Sequence, residues 1–556
     1  MVFVRPLLHQ STGTAAPSRR PILFSASSFC QHIAGWTGFQ SKDVRMWFHP
    51  YSRMADIVLA TINARYAHAS LALRYLRANV GTLKPRSEIL EFVLQDRPVD
   101  IAEKILARSP SIVGFGVYIW NTDETYRVVE TIKRVAPQVK IVVGGPEVSH
   151  EIPTQPVASL ADYIVVGEGD EAFRDLASSI LAGEPPETRV IRGGLPSLAK
   201  LQSPYSLYDE TDISNRTVYV EASRGCPFTC EFCLSSLDQK VRGFPLEEFL
   251  ADMKRLYDRG VRQFKFIDRT FNLKISTAKK ILAFFLERSG PDLFVHFEMV
   301  PDRLPDELRD LVRQFPPACL QFEVGIQTFN DKTADRIQRK HNRAAIEKNI
   351  RFLREETGVH VHADLIVGLP GEDIESFGLG FDNLVSLAPQ EIQVGILKRL
   401  RGTPISRHTE EWGMVYSSLA PYEILANKLI TFSQMQEMKR FARVWDMVAN
   451  SGNFVETLPL LWAEQRPFIG FLKFTRWLHV EVGSFSGVAL KRLARLLYRY
   501  LVEATAVDRE TASMALTKDF TRLGRGDFNA AEPLPTKASK RTKSGIPARQ
   551  ARHQAR

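Results

Sequence analysis

Residues 217–236 read TVYVEASRGCPFTCEFCLSS: a short apolar run, a glycine turn, then Cys226, Cys230 and Cys233 within eight positions. TVYVEAS mixes β-branched and aromatic residues as a strand does, so the cysteines fall on the loop after it. Toward the C-terminus further strand patterns follow: QFKFID from 263, FVHFEMV from 294, LQFEVGI from 320, HVHADLIVG from 360 and EIQVGIL from 391. Helical patterns separate them, among them LEEFLADMKRLYDRG and AAIEKNIRFLREETG, each read as ending on a C′ glycine. Six strand–helix units predict a partial (β/α)6 TIM-like barrel over 216–408. In such barrels the chemistry sits on the loops after the strands, which places the three thiols at the catalytic end.

Working outward to the N-terminal side, DIVLATI, SEILEFV, SIVGFGVY, KIVVGG and DYIVVGEG read as five buried strands. Between them residues 70–80, 99–108, 123–136 and 170–182 carry helical apolar spacing. The alternation predicts an α/β domain over 54–195, a flavodoxin-like doubly wound parallel sheet with its ligand crevice beyond the C-terminal strand ends. Those ends hold Asn63 to His68, Tyr118 to Asn121, Gly144 to Glu147, and Gly167 to Gly169. A polar stretch, 196–215, is expected to be a linker. Residues 409–515, with Trp445, Trp462 and Trp477, are expected to form a mostly α-helical C-terminal domain whose aromatics build its core.

The chain has 556 residues, a net charge of +10 and a pI near 9.2, with 44% hydrophobic residues. Such a composition excludes wholesale disorder and fibrous repeats. The apolar run IVGFGVYIW from 112 is too short for the ~18–20 residues of a membrane span. Four basic residues and no acid lie in 1–42, and seven with no acid in 533–556. These eleven charges exceed the net total, so the body between them is near neutral and nucleic acid is not the expected partner. Residues 516–556 are expected to be a basic disordered tail. Residues 1–53 are expected to be a leader, either disordered or untranslated, with translation starting at Met54.

Five cysteines, three of them clustered, do not make a secreted disulfide framework. Three thiolates leave one position open on a soft metal centre. Structural zinc would need a fourth Cys or His nearby, and none lies at ligand spacing. Cys319, at the start of the fourth barrel strand, reads as a core thiol.

The CxxxCxxC triplet, with Phe232 before its last cysteine and a barrel strand before the loop, resembles the radical S-adenosylmethionine (SAM) superfamily. The resemblance implies a 4Fe-4S cluster on Cys226, Cys230 and Cys233, with the fourth iron chelating SAM and the reduced cluster cleaving it to methionine and a 5′-deoxyadenosyl radical. It also implies SAM contacts at Phe232, Asp268, Glu298, Gln327 and Gly368. FIDRTFN replaces the usual glycine-glycine-glutamate after strand two. With the flavodoxin-like sheet in front, the chain resembles the cobalamin (vitamin B12)-binding class, in a branch with a C-terminal extension of unassigned function. Cobalamin contacts are then expected at Tyr66, Gly116, Tyr118, Gly144, Gly145, Pro146, Gly167, Glu168 and Gly169.

NARYAHAS lacks the Asp-x-His-x-x-Gly pattern of cobalt-ligating loops, so His68 is read as a surface or helix-start histidine. The resemblance implies a cytoplasmic enzyme, with one SAM supplying a methyl group to cobalamin and a second the radical that activates an unactivated carbon. A small molecule or natural product is the expected substrate, and a flavodoxin- or ferredoxin-type protein the expected electron donor. Radical cyclisation, oxidation or rearrangement is the alternative chemistry, and a non-catalytic cobalamin or metal sensor the alternative of another class. Methylthiotransferases carry three further cysteines in the leading domain, and 56–200 holds none.

Overall fold

The structure, a computed structural model, describes residues 54–485, 487–528 and 547–554. The expected leader, 1–53, lies outside the described residues. Strands β1 (Ile57–Asn63), β2 (Ser87–Val93), β3 (Ile112–Gly116), β4 (Lys140–Gly144), β5 (Tyr163–Val166) and β6 (Val190–Arg192) form one all-parallel sheet in the order β2-β1-β3-β4-β5-β6. Every residue of β1 is buried, as expected for a strand covered by helices on both faces. The strand order reverses between β1 and β3, where doubly wound sheets bind ligands. The sixth strand was not foreseen, because β6 is three residues long and only partly buried.

The second sheet starts with β7 (Val218–Val220). A two-stranded antiparallel ribbon, β8 (Ser223–Arg224) and β9 (Arg242–Gly243), then brackets the cysteine loop. Strands β10 (Gln263–Phe266), β11 (Phe294–Met299), β12 (Leu320–Gln327), β13 (His360–Val367) and β14 (Glu391–Ile396) complete a parallel sheet in the order β14-β13-β12-β11-β10-β7. Its end strands, β7 and β14, do not pair, so the barrel is partial, as the strand count predicted. On the helix-facing side of this sheet Phe266 packs against Phe249 and Phe285, and Phe271 and Phe297 stack at 3.8 Å between ring centroids. Helices dominate from Phe432 onward, with Phe381, Phe441, Trp445 and Phe471 packed edge to face. Among the described residues no helix is long and apolar enough to cross a membrane.

Three expectations are corrected. The stretch 196–215 is packed structure and not a free linker. Tyr208 is fully buried and donates to the Tyr219 carbonyl (2.8 Å). Helix Glu210–Asn215 is capped by Asp209, and its Asp212 pairs with Arg74 (2.5 Å), which also pairs with Glu91 (3.0 Å). The tail is also partly ordered: helix Arg509–Arg522 runs past 515, and helix Ala548–Gln554 docks on the barrel. Arg549 pairs with buried Glu391 (3.0 Å) and Asp446 (2.6 Å), and Gln550 donates to Gln321 (2.7 Å). Arg549, a charge that composition assigns to solvent, has acidic partners here. Gly260 is the left-handed C′ residue expected, but Gly358 is not; it lets Pro317 approach, since a Cβ there would lie 2.6 Å from the Pro317 Cα.

Gly358→Ala is therefore expected to cost about 1–3 kcal/mol, as overpacking against backbone does. Urea denaturation monitored by circular dichroism measures it, and an unchanged midpoint would show that the contact relaxes freely.

Candidate active site

The cysteine loop leaves the ribbon at Gly225, whose φ of +92° and close approach to the Lys240 carbonyl (2.4 Å from a notional Cβ) exclude any side chain. The amide of Cys226 donates to the Asp238 carbonyl (2.8 Å) and that of Cys233 to the Cys230 carbonyl (3.1 Å). Buried Glu231 is gripped by His408 (2.7 Å) and Arg407, a contact that nothing in the loop's sequence announced. Cys226, Cys230 and Cys233 share one cavity of about 130 Å³ at the C-terminal end of the barrel. Burial pushes the Cys226 thiol up, and the two neighbouring thiols add to the effect while a backbone hydrogen bond from Phe228 opposes it. Three thiolates crowded in one partly buried cavity need a cationic centre between them. Among the described residues no three Cys, His, Asp or Glu side chains converge as a single metal ion requires. Three thiols with no fourth Cys or His at ligand spacing suit a cluster that keeps one position open rather than a closed four-ligand zinc site.

Of the residues expected around SAM, Phe232, Glu298 and Gln327 line this cavity. Burial pushes the Glu298 carboxyl up, and Arg269 opposes it with two hydrogen bonds (2.8 and 3.0 Å). Gln327 sits at a register shift between β12 and β13 with φ +75°, a strained backbone that aims its side chain inward. Arg339, unforeseen, lines the cavity and donates to the Cys230 sulfur (3.4 Å).

Asp268 and Gly368 are not among the lining residues. Buried Asp268 instead accepts from the Ala222 amide (2.9 Å) and the Ser223 hydroxyl (2.6 Å), holding the strand end that leads into the loop. Gly368 turns the chain beneath Ile424 and Met435 of the C-terminal region. Cys319 is a buried thiol pushed up to about 12 by burial, outside the cavity.

A second cavity, of about 290 Å³, opens at the C-terminal ends of β3, β4 and β5. Gly116, Tyr118, Gly144, Gly145, Gly167, Glu168 and Gly169 line it, as expected, joined by Gly114 and Phe173. Gly114 and Gly116 share one face of β3 by the two-residue period of a strand, a signal present in SIVGFGVY. A Cβ on Gly114 would press Leu59 and Phe173 at 3.0 Å. The missing side chains open an apolar slot between sheet and helices.

Tyr66 and Pro146 are not among its lining residues. Tyr66 is exposed beneath the Arg216 guanidinium (4.8 Å), and Pro146 opens the short turn Pro146–Val148. Trp120, within the strand-end stretch 118–121 but not among the lining residues, is 45% exposed, stacked on Tyr118 at 4.5 Å with its indole N–H on the Ile62 carbonyl (3.2 Å). His68 does not stand free at this rim: its Nδ1 is hydrogen-bonded to the Tyr219 hydroxyl (2.6 Å) across to β7. Glu168 also points across, to Arg224 (2.8 Å) and Arg242. The slot and the barrel meet where Glu221, Arg224 and Ile267 close its wall.

Three family models match the chain: the B12 binding domain over 57–177, the Radical SAM superfamily over 220–378, and a protein of unknown function, DUF4080, over 410–550. This order of domains, with the C-terminal extension behind them, is that of the B12-binding radical SAM class. The cofactors of that class are a 4Fe-4S cluster, SAM and cobalamin. The 2-(S-pantetheinyl)-carbapenam-3-carboxylate methyltransferase of Streptantibioticus cattleyicolor is 24% identical over 319 residues, 51% of this chain and 46% of its own length. The cobalamin-dependent radical SAM methyltransferase TokK of Streptomyces tokunonensis is 24% identical over 344 residues, 55% of this chain and 50% of its own. The chain thus spans about half the length of these curated relatives. The structure of OxsB, a cobalamin-dependent SAM radical enzyme with aqua-cobalamin and SAM bound, shares the fold at a TM-score of 0.52 and 14% identity, covering 86% of this chain and 77% of that one.

The position of Asp268 generates a test. Burial pushes its carboxyl up to about 6, from an ordinary value of 3.8, against the hydrogen bonds that stabilise its charge. Folding then takes up a proton between those values, so its contribution to stability is present below the window and declines as pH rises through it. Asp268→Asn should flatten stability between pH 4 and about 6, read from thermal midpoints, and leave SAM affinity in calorimetry unchanged. A weakened SAM affinity at constant stability would return Asp268 to the ligand site.

Proposed function

We propose that the protein is a cytoplasmic, cobalamin-dependent radical SAM methyltransferase that alkylates an unactivated carbon of a small molecule or natural product, fed by a flavodoxin- or ferredoxin-type donor. The observation that carries the reading is the pairing, within one compact unit, of a three-thiol cavity with a glycine-lined slot at the C-terminal ends of two parallel sheets. The methyltransferase names of the two curated relatives support the choice of reaction. When bound, the cluster and SAM supply a 5′-deoxyadenosyl radical and cobalamin carries the methyl group.

The chain's own residues do the holding. Cys226, Cys230 and Cys233 bind the cluster, while Phe232, Glu298 and Gln327 orient SAM beside it. The slot formed by Gly114, Gly116, Gly144, Gly145, Gly167 and Gly169 takes the nucleotide tail of cobalamin, since absent side chains let a flat heterocycle reach the backbone. The Tyr118–Trp120 stack offers its exposed face to the corrin, and with His68 bonded to Tyr219 no histidine of that loop competes for the cobalt. The burial of Cys226 and Cys230 would limit the access of water to a cluster held there.

The test is anaerobic reconstitution with iron and sulfide, then incubation with SAM, hydroxocobalamin and reductant. Formation of both 5′-deoxyadenosine and S-adenosylhomocysteine, the latter only with cobalamin, is expected; 5′-deoxyadenosine alone, cobalamin or not, would overturn the methyl-transfer reading. Trp120→Ala should weaken cobalamin binding about tenfold, the worth of one aromatic stack of roughly 1.4 kcal/mol. Equilibrium dialysis reads that change, and unchanged binding would remove the corrin platform from the account.

A further inference from the structure

The cysteine loop is a closed excursion between β8 and β9, and the two residues paired at its neck are Arg224 and Arg242. Both guanidinium groups cross to the first domain and meet on one carboxylate. Arg224 donates to Glu168 Oε2 (2.8 Å), and Arg242 is in close contact with Glu168 Oε1. Arg224 also pairs with Asp170 (2.8 Å) and with Glu221 at the end of the first barrel strand (2.9 Å), and its face covers the Tyr75 ring at 4.6 Å. Arg242 further donates to the Pro196 carbonyl (3.1 Å). All these side chains are largely buried, so the charges have little water to turn to if a partner moves.

Glu168 and Asp170 belong at the same time to the wall of the glycine-lined slot, between Gly167 and the start of helix Asp170–Ala182. One short segment, 167–170, thus faces the slot on one side and grips both strands of the cysteine ribbon on the other. Whatever orders that segment orders the neck of the loop, and the dependence runs equally in the other direction.

Resting on the two-cofactor reading above, we propose that Glu168 and Asp170, through Arg224 and Arg242, are positioning residues that couple occupancy of the cobalamin slot to retention of the cluster by the cysteine loop. Cobalamin in the slot holds 167–170 in place, the carboxylates hold the two arginines, and the ribbon keeps the three thiols converged. Arg242 is not among the residues lining the slot, which makes it the place to cut the connection without touching the cofactor.

The experiment follows iron release from the reconstituted protein to a chromophoric chelator, with and without saturating hydroxocobalamin, in the parent and in Arg242→Gln. Bound cobalamin is measured by absorbance after gel filtration. Cobalamin is expected to slow iron loss in the parent at least about fivefold, the low end of allosteric coupling. Arg242→Gln should retain cobalamin and lose most of that protection. Since coupling is reciprocal in binding free energy, the cobalamin affinity of the parent is also expected to fall when the cluster is removed.

Simple shielding of the cluster by a bulky cofactor would persist in Arg242→Gln, so protection kept in that variant overturns the proposal. Cobalamin bound with no protection in the parent overturns it too, while leaving the two-cofactor reading intact. Failure of the parent to bind cobalamin removes the reading and the proposal together. Should Arg242→Gln not fold, Arg242→Lys keeps the charge but loses the second donor and is expected to show an intermediate protection; full protection there counts against the coupling.

Discussion

Two parallel sheets can serve one reaction only if their C-terminal edges are held facing each other, and here buried charge pairs do the holding. Arg224 is bound to carboxylates of both domains, Glu168 and Asp170 on one side and Glu221 on the other. Removing one partner of a buried pair typically costs about 3–5 kcal/mol, because the remaining charge is left without water or counter-ion. That penalty makes the junction stiff, and stiffness matters where reacting groups held on different domains must meet within a few tenths of an ångström. The Arg74, Glu91, Asp212 and Arg216 network, built from the first sheet, its first helix and the packed stretch before the barrel, adds a second fastening behind the first.

The C-terminal region grips the same assembly from two sides. Tyr422 donates to Glu147 (2.6 Å) just after β4, where Arg401 also binds Glu147 (3.0 Å) and Glu151 (3.1 Å). At the far end, helix Ala548–Gln554 covers the base of the barrel above a column of buried groups, with His360 on Glu391 (2.9 Å) and His296 on Glu323 (2.9 Å). A region without an assigned activity therefore has a physical job. It clamps the rim loop of the first domain and closes the barrel floor.

Most of the architecture was legible because it is written in local patterns. Parallel strands buried on both faces are apolar runs, and the cysteine spacing with a strand before it marks the loop. The glycines of the slot were legible for the same reason, and Gly114 was overlooked only because Gly116 was taken without its neighbour two residues away. What stayed hidden depends on partners distant in sequence. Glu168 lines the slot as expected, but nothing local reveals that it also grips Arg224 and Arg242, 56 and 74 residues on. The hydrogen bonds that Asp268 accepts from the Ala222 amide and the Ser223 hydroxyl exist only in the fold. The C-terminal charges read as solvated because Glu391 and Asp446 meet Arg549 only after the helical region has wrapped the barrel.

The central claim is that this single chain holds an iron-sulfur cluster and cobalamin in two cavities, the second of them walled by Arg224 at the neck of the cysteine loop. Cofactor content of one anaerobically reconstituted, gel-filtered preparation tests it most directly. The account predicts about four irons and one cobalamin per chain in the same peak; a full iron complement with cobalamin left in the small-molecule fraction would contradict it.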